Sequence, residues 1–207
     1  MNPMTEGLGR RTRKKIERRR QIEEVALDLF ATHGFDETTV EDIATGADIA
    51  PRTFFHYFPT KEDVVLADYA DRLERITVEL AQQSVAEDPW HSLRAAFEVV
   101  ATDYAATRDQ LLRRFEIMAA NPAVYARSLQ LQAGWEDTIA DVLTSRPATA
   151  TAKGAAADLD ARLMASAALA CMRASLRHWL ASGQDLELPE LMRRCFDRFA
   201  TGLTTGR

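Results

Sequence analysis

Ile22, Val25, Ala26, Leu29 and Phe30 recur at i, i+3, i+4, i+7 and i+8 and draw one apolar stripe through a polar stretch, the pattern of a helix with one face in a core. That helix is predicted over about Thr12 to Thr32, with Gly34 as its C-terminal cap. Thr39, followed three residues on by Asp42, resembles a capping box with a short carboxylate, so a second helix should begin at Val40 and bury Ile43 and Ala44. It should end near Gly46 to Asp48, where glycine weakens a helix and aspartate tolerates a left-handed turn. Pro51 suits the first position of a third helix, which runs to about Tyr57 and is stopped by Pro59. Within it Phe54 and, four residues on, Phe58 should face inward. Thr60 with Asp63 repeats the capping pattern and opens a further helix, read as continuous to about Gln83.

The remaining periodicity is helical throughout. Helices are predicted over Pro89 to about Ala106, Asp109 to Ala120, Ala123 to Leu143 after the Asn121-Pro122 break, Leu159 to Ala181, and Pro189 to about Thr201. Residues 144–157 are poor in large apolar groups and read as a flexible connection. No segment carries a strand pattern and no repeat stands out, so the fold class is all-α: an N-terminal three-helix helix-turn-helix domain followed by a larger helical ligand-binding and dimerisation domain.

Two capped short helices, a tight turn and an aromatic-rich second helix are the grammar of a DNA-reading helix-turn-helix, whose second helix puts its N-terminal residues at base edges in the major groove. Arg52 and Thr53 occupy that end, where Arg52 can pair with a guanine and Thr53 can touch a thymine methyl or a phosphate. Phe55, His56 and Tyr57 are left for the outer and flanking faces. A plain helical hairpin would explain Phe54 and Phe58, but not the aromatic surplus beside a basic arm. That arm, residues 10–20, holds eight Lys or Arg and one Glu, +7, in a chain of −5, leaving 18 basic and 30 acidic residues elsewhere. Such asymmetry fits a protein that grips phosphate at one end. Arg11, Arg13 and Lys14 are its candidate contacts, lying along phosphate or in a minor groove.

From about Arg19 to Tyr69 the chain resembles the N-terminal domain of the TetR (TetR/AcrR) family of transcriptional regulators, in HGFDETTVEDIA, a three-residue turn, then TFFHYFPTKEDVV. The resemblance covers roughly a quarter of the chain and implies a homodimeric repressor with a helical ligand-sensing domain behind the reader. It places Thr39 near a phosphate, Arg52, Thr53, Phe55 and His56 on the recognition helix, Tyr57 at the DNA backbone and Lys61 at a phosphate. Three positions depart from the family pattern: Asp48 stands for the turn glycine, Ala50 for the serine ahead of the recognition helix, and Phe55 for the common tyrosine. Ala50 forgoes a cap worth about 1 kcal/mol, and Phe55 has no hydroxyl, so its contacts must be apolar.

The domain limits expected are 1–9 as a disordered arm, 10–59 as the reader, and 60–207 as the effector-binding and dimerisation part. The helix over Leu159 to Ala181 is rich in small residues on nearly every side, so it needs burial on several faces. Leu163, Ala167, Ala170, Leu176, Trp179, Leu191, Phe196 and Phe199 are the candidate surface for a two-fold four-helix dimer interface, against the alternative that they complete one chain's core. Phe97, Tyr104, Phe115, Met118, Trp135, Met164 and Met172 are candidate pocket residues for a hydrophobic or amphipathic effector, and each also suits an ordinary core. Arg113, Arg114, Glu116 and His178 are read as surface charge in preference to ligand contacts.

With 207 residues, 46% hydrophobic and 28% charged, the composition is that of a globular protein with a small and a larger domain. A polar, basic N-terminus without an apolar segment, no run approaching the ~18 apolar residues of a span, and only Cys171 and Cys195 point to a cytoplasmic chain without membrane partner or disulfide framework. Four unpaired histidines, no phosphate-binding glycine loop and no activated cysteine argue against an enzyme, a metal site or a cofactor. The expected partners are double-stranded DNA, a small-molecule effector and a second copy of the chain. A helical enzyme, or an adaptor whose helix-turn-helix does not read DNA, is the rival.

Overall fold

The computed structural model describes residues 9–84, 86–146, 155–182 and 186–202. Among the described residues the chain forms α1 (Arg10–His33), α2 (Val40–Gly46), α3 (Pro51–Tyr57), α4 (Lys61–Val65), α5 (Tyr69–Gln82), α6 (Pro89–Ala105), α7 (Arg108–Ala120), α8 (Pro122–Ser145), α9 (Ala155–Ala181) and α10 (Leu188–Thr201), with no strand. The arm expected over 1–9 lies outside the described residues except for Gly9, which precedes α1. The connection expected over 144–157 is shorter than read: α8 continues to Ser145 and α9 begins at Ala155, with 147–154 outside the described residues.

The chain divides into two compact units, Met1–Ala67 with Arg113–Arg127, and Asp68–Leu112 with Ser128–Arg207. In the first, local chemistry sets the helix starts. The Thr39 side chain accepts from the Asp42 N–H at 3.1 Å while the Asp42 carboxylate accepts from the Thr39 N–H at 2.9 Å, closing the capping box. Ala50 supplies no side-chain cap, and Pro51 opens α3. Asp48 takes the left-handed conformation at φ 52°, which an aspartate tolerates. Gly46 closes α2 where a β-carbon would stand 2.7 Å from Cγ1 of Val25, so the glycine permits the close approach of α2 to α1. Ile22, Ala26, Phe30, Ile43, Phe54, Phe58 and Val64 form the buried centre. Each fully buried aromatic or aliphatic side chain there contributes about 1.5–3 kcal/mol.

The helix expected to run unbroken from Thr60 to Gln83 is interrupted at residues 66–68, leaving a five-residue α4. Neither proline nor glycine causes the break. Arginines from distant positions take the carbonyls instead: Arg114 donates to Val64 and Val65, and Arg19 to Ala67. Oxygens with these partners stay satisfied without the helical ladder.

In the second unit α10 packs on α6 and α9, and α5 packs on α6. Phe196 is fully buried, its ring centroid 4.7 Å from Trp90 and 5.8 Å from Phe97, and its carbonyl accepts from Trp90 Nε1 at 3.1 Å. Arg146, buried past the end of α8, donates to the carbonyls of Gln83 and Ser84 and so ties two chain segments together.

Candidate nucleic-acid interface and sensing core

The seven residues of α3 divide cleanly by face. Phe54 is wholly buried and Phe58, just past the helix, nearly so. Arg52, Phe55 and His56, spaced i, i+3 and i+4, lie exposed on the opposite side, with Phe55 54% accessible. Thr53 and Tyr57 are half-buried on the flank, and the Tyr57 ring meets His56 edge-on at 5.3 Å. A cation, an apolar ring and an imidazole in one exposed row can reach base edges, while hydroxyls on the flank can reach phosphate. Thr39, exposed at the start of α2, has its hydroxyl committed to the Asp42 cap. That same hydroxyl, and then the Thr39 N–H, hold the Asp42 carboxyl below its ordinary value.

Arg11, Arg13 and Lys14 are exposed, but the basic run belongs to α1 from Arg10 onward. A helix about 10–12 Å across does not itself enter a groove about 6 Å wide, so this run can reach a minor groove only through its side chains. Arg19 is set apart from its neighbours: it donates to Ala67 O, pairs with Glu23 and covers the Phe58 ring, its guanidinium carbon 5.4 Å from the ring centroid.

Lys61, expected at a phosphate, is turned inward instead. Its ammonium donates to the carbonyls of Phe35 at 2.7 Å, Asp36 at 3.3 Å and Thr38 at 3.2 Å, which occupies all three of its N–H donors. Arg114, read from the sequence as surface charge, is also structural. It is only 12% exposed and bridges the Val64 and Val65 carbonyls to Glu23, while Arg127 pairs with Asp63 at the start of α4. Arg113 does lie on the surface, paired with Asp28, and Glu116 and His178 are exposed.

The seven candidate pocket residues divide between the two units. Phe115 and Met118 belong to the first unit, whereas Phe97, Tyr104, Trp135, Met164 and Met172 belong to the second. In the second unit a part-buried polar cluster adjoins Tyr104 and Trp135. Asp68 and Arg72 form an ion pair at the start of α5, and the Arg72 guanidinium carbon stands 4.2 Å from the Tyr104 ring centroid and 5.6 Å from that of Tyr69. Tyr69 stacks obliquely on Trp135 at 5.3 Å and hydrogen-bonds with Gln132 and Ser128, and Gln132 accepts from Arg173 at 3.1 Å. Burial pushes both phenols up, Tyr104 further than Tyr69. Burial, followed by the nearby Cys195, pushes the Cys171 thiol up to about 12, so it is inert as a nucleophile at neutral pH.

Of the candidate dimer residues, Trp179, Leu191 and Phe196 are 3%, 9% and 0% exposed within one chain. They lie in that chain's core, with Trp179 beneath the Arg108 guanidinium, and leave little surface for a partner. Leu163 is 64% exposed, as is Leu159 one turn earlier on the same face, and Phe199 is 36% exposed. Ala167, Ala170 and Leu176 are half-buried.

Residues 22–67 match the family described as bacterial regulatory proteins, tetR family, and residues 87–204 match the MftR C-terminal domain. The chain belongs to the TetR family. This TetR-family chain is 29% identical over 182 residues to MftR, the assigned transcriptional regulator of mycofactocin biosynthesis in Mycobacterium tuberculosis, covering 88% of this chain and 89% of that protein. Its fold superposes on FadR of Thermus thermophilus, a TetR-family transcriptional repressor solved with lauroyl-CoA, with a TM-score of 0.59 and 27% identity over 91% of this chain and 96% of that one. It also superposes on the fatty acid degradation regulator FadR of Bacillus halodurans, with a TM-score of 0.62 and 18% identity over 91% and 97% of the two chains. As a TetR-family member it is a transcriptional regulator with a DNA-binding helix-turn-helix.

Sequence reasoning missed Arg19, Asp68, Arg72, Arg127 and Arg173 in this TetR-family chain. Asp68 with Arg72 and Arg19 with Glu23 stand at i, i+4, a spacing that signals a helical ion pair, whereas the contacts of Arg19 with Ala67, Arg72 with Tyr104, Arg127 with Asp63 and Arg173 with Gln132 join distant positions that no spacing announces. Among the described residues no helix is long and apolar enough to cross a membrane.

Proposed function

We propose that this regulator is a homodimeric repressor that binds a palindromic operator and is released by a small hydrophobic or amphipathic effector. Residues 10–59 act as the reader and 60–207 as the effector-binding and dimerisation part. The observation that carries the reading is the exposed row of Arg52, Phe55 and His56 on a helix whose opposite face is buried. The exposed basic start of α1 belongs to the same unit. Two such helices in a two-fold dimer would face the half-sites of a palindrome. An effector that prefers a dimer with its readers wrongly spaced would release the DNA through differential affinity alone. The lauroyl-CoA bound to the Thermus FadR supports an effector with an apolar chain. The protein works in the cytoplasm, without a cofactor and without catalysis.

Selection of bound genomic fragments at two salt concentrations, with Arg52→Ala in parallel, tests this. The expected result is a palindromic motif that Arg52→Ala loses, with affinity falling as salt rises. Salt-sensitive binding without a motif would remove the operator from the reading, and no binding would transfer the function to an adaptor or an enzyme.

A further inference from the structure

Six buried side-chain polar atoms find no hydrogen-bond partner among the described residues, and three of them, Asp68 Oδ1, Arg72 Nε and Tyr104 Oη, belong to one cluster. The other three are on side chains with further polar partners: Glu98 meets Arg94 and Arg193, Arg108 reaches the Trp179 carbonyl, and Arg146 holds Gln83 and Ser84. Folded proteins leave few such atoms unpaired, because each gives up its water without replacement. Tyr104 is 5% exposed and its ring lies against the Arg72 guanidinium, so the orphaned atoms share one small region between α5 and α6. One turn and two turns before Tyr104, α6 presents Val100, Ala101 and Phe97, all buried, and Trp135 stands beyond Tyr69. Apolar side chains from α6 line one side of the cluster, and Gln132 and Ser128 meet it through Tyr69.

The three atoms specify a chemistry. Arg72 Nε can only donate, Asp68 Oδ1 can only accept, and the Tyr104 hydroxyl can do either. A carboxylate or phosphate would satisfy Arg72 but bring negative charge to a buried carboxylate oxygen. An ammonium would satisfy Asp68 and be repelled by the guanidinium. Arg72 and Asp68 already neutralise each other, so the cluster has no net charge to offer. We propose that the Asp68, Arg72 and Tyr104 cluster receives the effector's polar group, and that this group is neutral and both accepts and donates a hydrogen bond, as a hydroxyl, a phenol or a primary amide does. The proposal rests on the reading that the second unit senses a small molecule, and it narrows that molecule to an apolar body with one such group.

The test is calorimetric titration of the full chain with matched probes that differ only in the polar group. The probes are 2-naphthol, 2-naphthamide, 2-naphthoate and 2-naphthylmethylammonium, together with 1-decanol, decanamide, decanoate and decylammonium. The alcohol and amide should bind about ten-fold or more tighter than the anion and cation on at least one body, since a site built around unpaired polar groups rejects analogues that leave them unpaired. Tyr104→Phe should reduce that preference about ten-fold while the melting temperature of the unliganded protein holds or rises, because the lost hydroxyl has no protein partner. Tightest binding by either ion, equal binding by all, no binding on either body, or a Tyr104→Phe variant that keeps the full preference would each overturn the proposal. The operator selection above separates the two readings. A chain that binds its operator yet shows no preference for the neutral probes loses this inference alone, whereas a chain that binds no DNA loses the repressor reading whatever the probes do.

Discussion

The Lys61 ammonium donates to the Phe35 carbonyl at 2.7 Å and also stands 4.5 Å from the centroid of the Phe35 ring. One side chain at the start of α4 thereby fixes the loop between α1 and α2, and with it the angle at which the helix-turn-helix is presented. Lys61→Met should cost about 2 kcal/mol of unfolding free energy in urea, the scale of charged hydrogen bonds. Operator affinity should fall with the stability of the reader while the slope of log affinity against log salt stays unchanged. A slope reduced by about 0.9 would show that Lys61 meets a phosphate after all.

Arg52 and Phe55 are exposed and outside the core, so their loss should leave the fold intact. Arg52→Ala should weaken operator binding by about 1–3 kcal/mol and relax the base preference at one position of each half-site. Phe55→Ala should weaken binding without altering the salt slope, since its contact is apolar. Thermal melts of both variants should match the parent, and a melt lowered with equal DNA binding would reassign these residues to structure.

Arg114 and Glu23 are only 12% and 16% exposed, and Arg114 also satisfies the two carbonyls at the end of α4. Arg114→Leu should destabilise the chain by about 2 kcal/mol, because it removes charged hydrogen bonds from a part-buried carboxylate that keeps Arg19 and from two carbonyls. A double-mutant cycle with Glu23→Gln should return a coupling of about 0.5–3 kcal/mol. Additive losses would mean that the two side chains act independently.

Residues near in sequence wrote their structure plainly. Thr39 with Asp42, Pro51, Gly34 and the Phe54–Phe58 pair each act through atoms within four or five positions, and the structure places them as their chemistry dictates. The break after Val65 was illegible, because its cause is Arg19 and Arg114, 48 to 50 residues away. The surroundings of Trp179 and Phe196 are illegible for a related reason. A helix apolar on several sides does not reveal which side its own chain covers, and here Arg108, Trp90 and Phe97 cover theirs. The orphaned atoms near Tyr104 carry no sequence signature at all, since being unpaired is a property of the packed state.

The Asp42 carboxyl is held below its ordinary value of 3.8, first by the Thr39 hydroxyl and then by the Thr39 N–H. A folded-state pKa lower than the unfolded one means the unfolded chain takes up a proton first as pH falls. The cap's contribution is therefore complete above the ordinary carboxylate value and is lost as pH drops through the lower folded value. Asp42→Asn should flatten the fall of stability in the acid range below about pH 5 relative to the parent, measured by urea midpoints across that range. An unchanged acid slope would show that the box makes no electrostatic contribution.

Leu163 and Phe196 make opposite demands of the second unit. Leu163 is 64% exposed beside Leu159 on one face of α9, while Phe196 is 0% exposed between Trp90 and Phe97. Two leucines one turn apart in water are a liability for a chain that stays alone, and covering them on a second copy removes that apolar surface from solvent. Leu163→Glu should give a helical protein of monomer mass by light scattering, with weakened operator binding, because a lone reader loses the gain of holding two half-sites at once. Phe196→Ala should instead cost about 3–5 kcal/mol of stability through the cavity it opens, without first changing the oligomeric state. A Leu163→Glu protein that keeps the parent's mass would move the interface elsewhere on the chain, and one that unfolds would make this face part of the core.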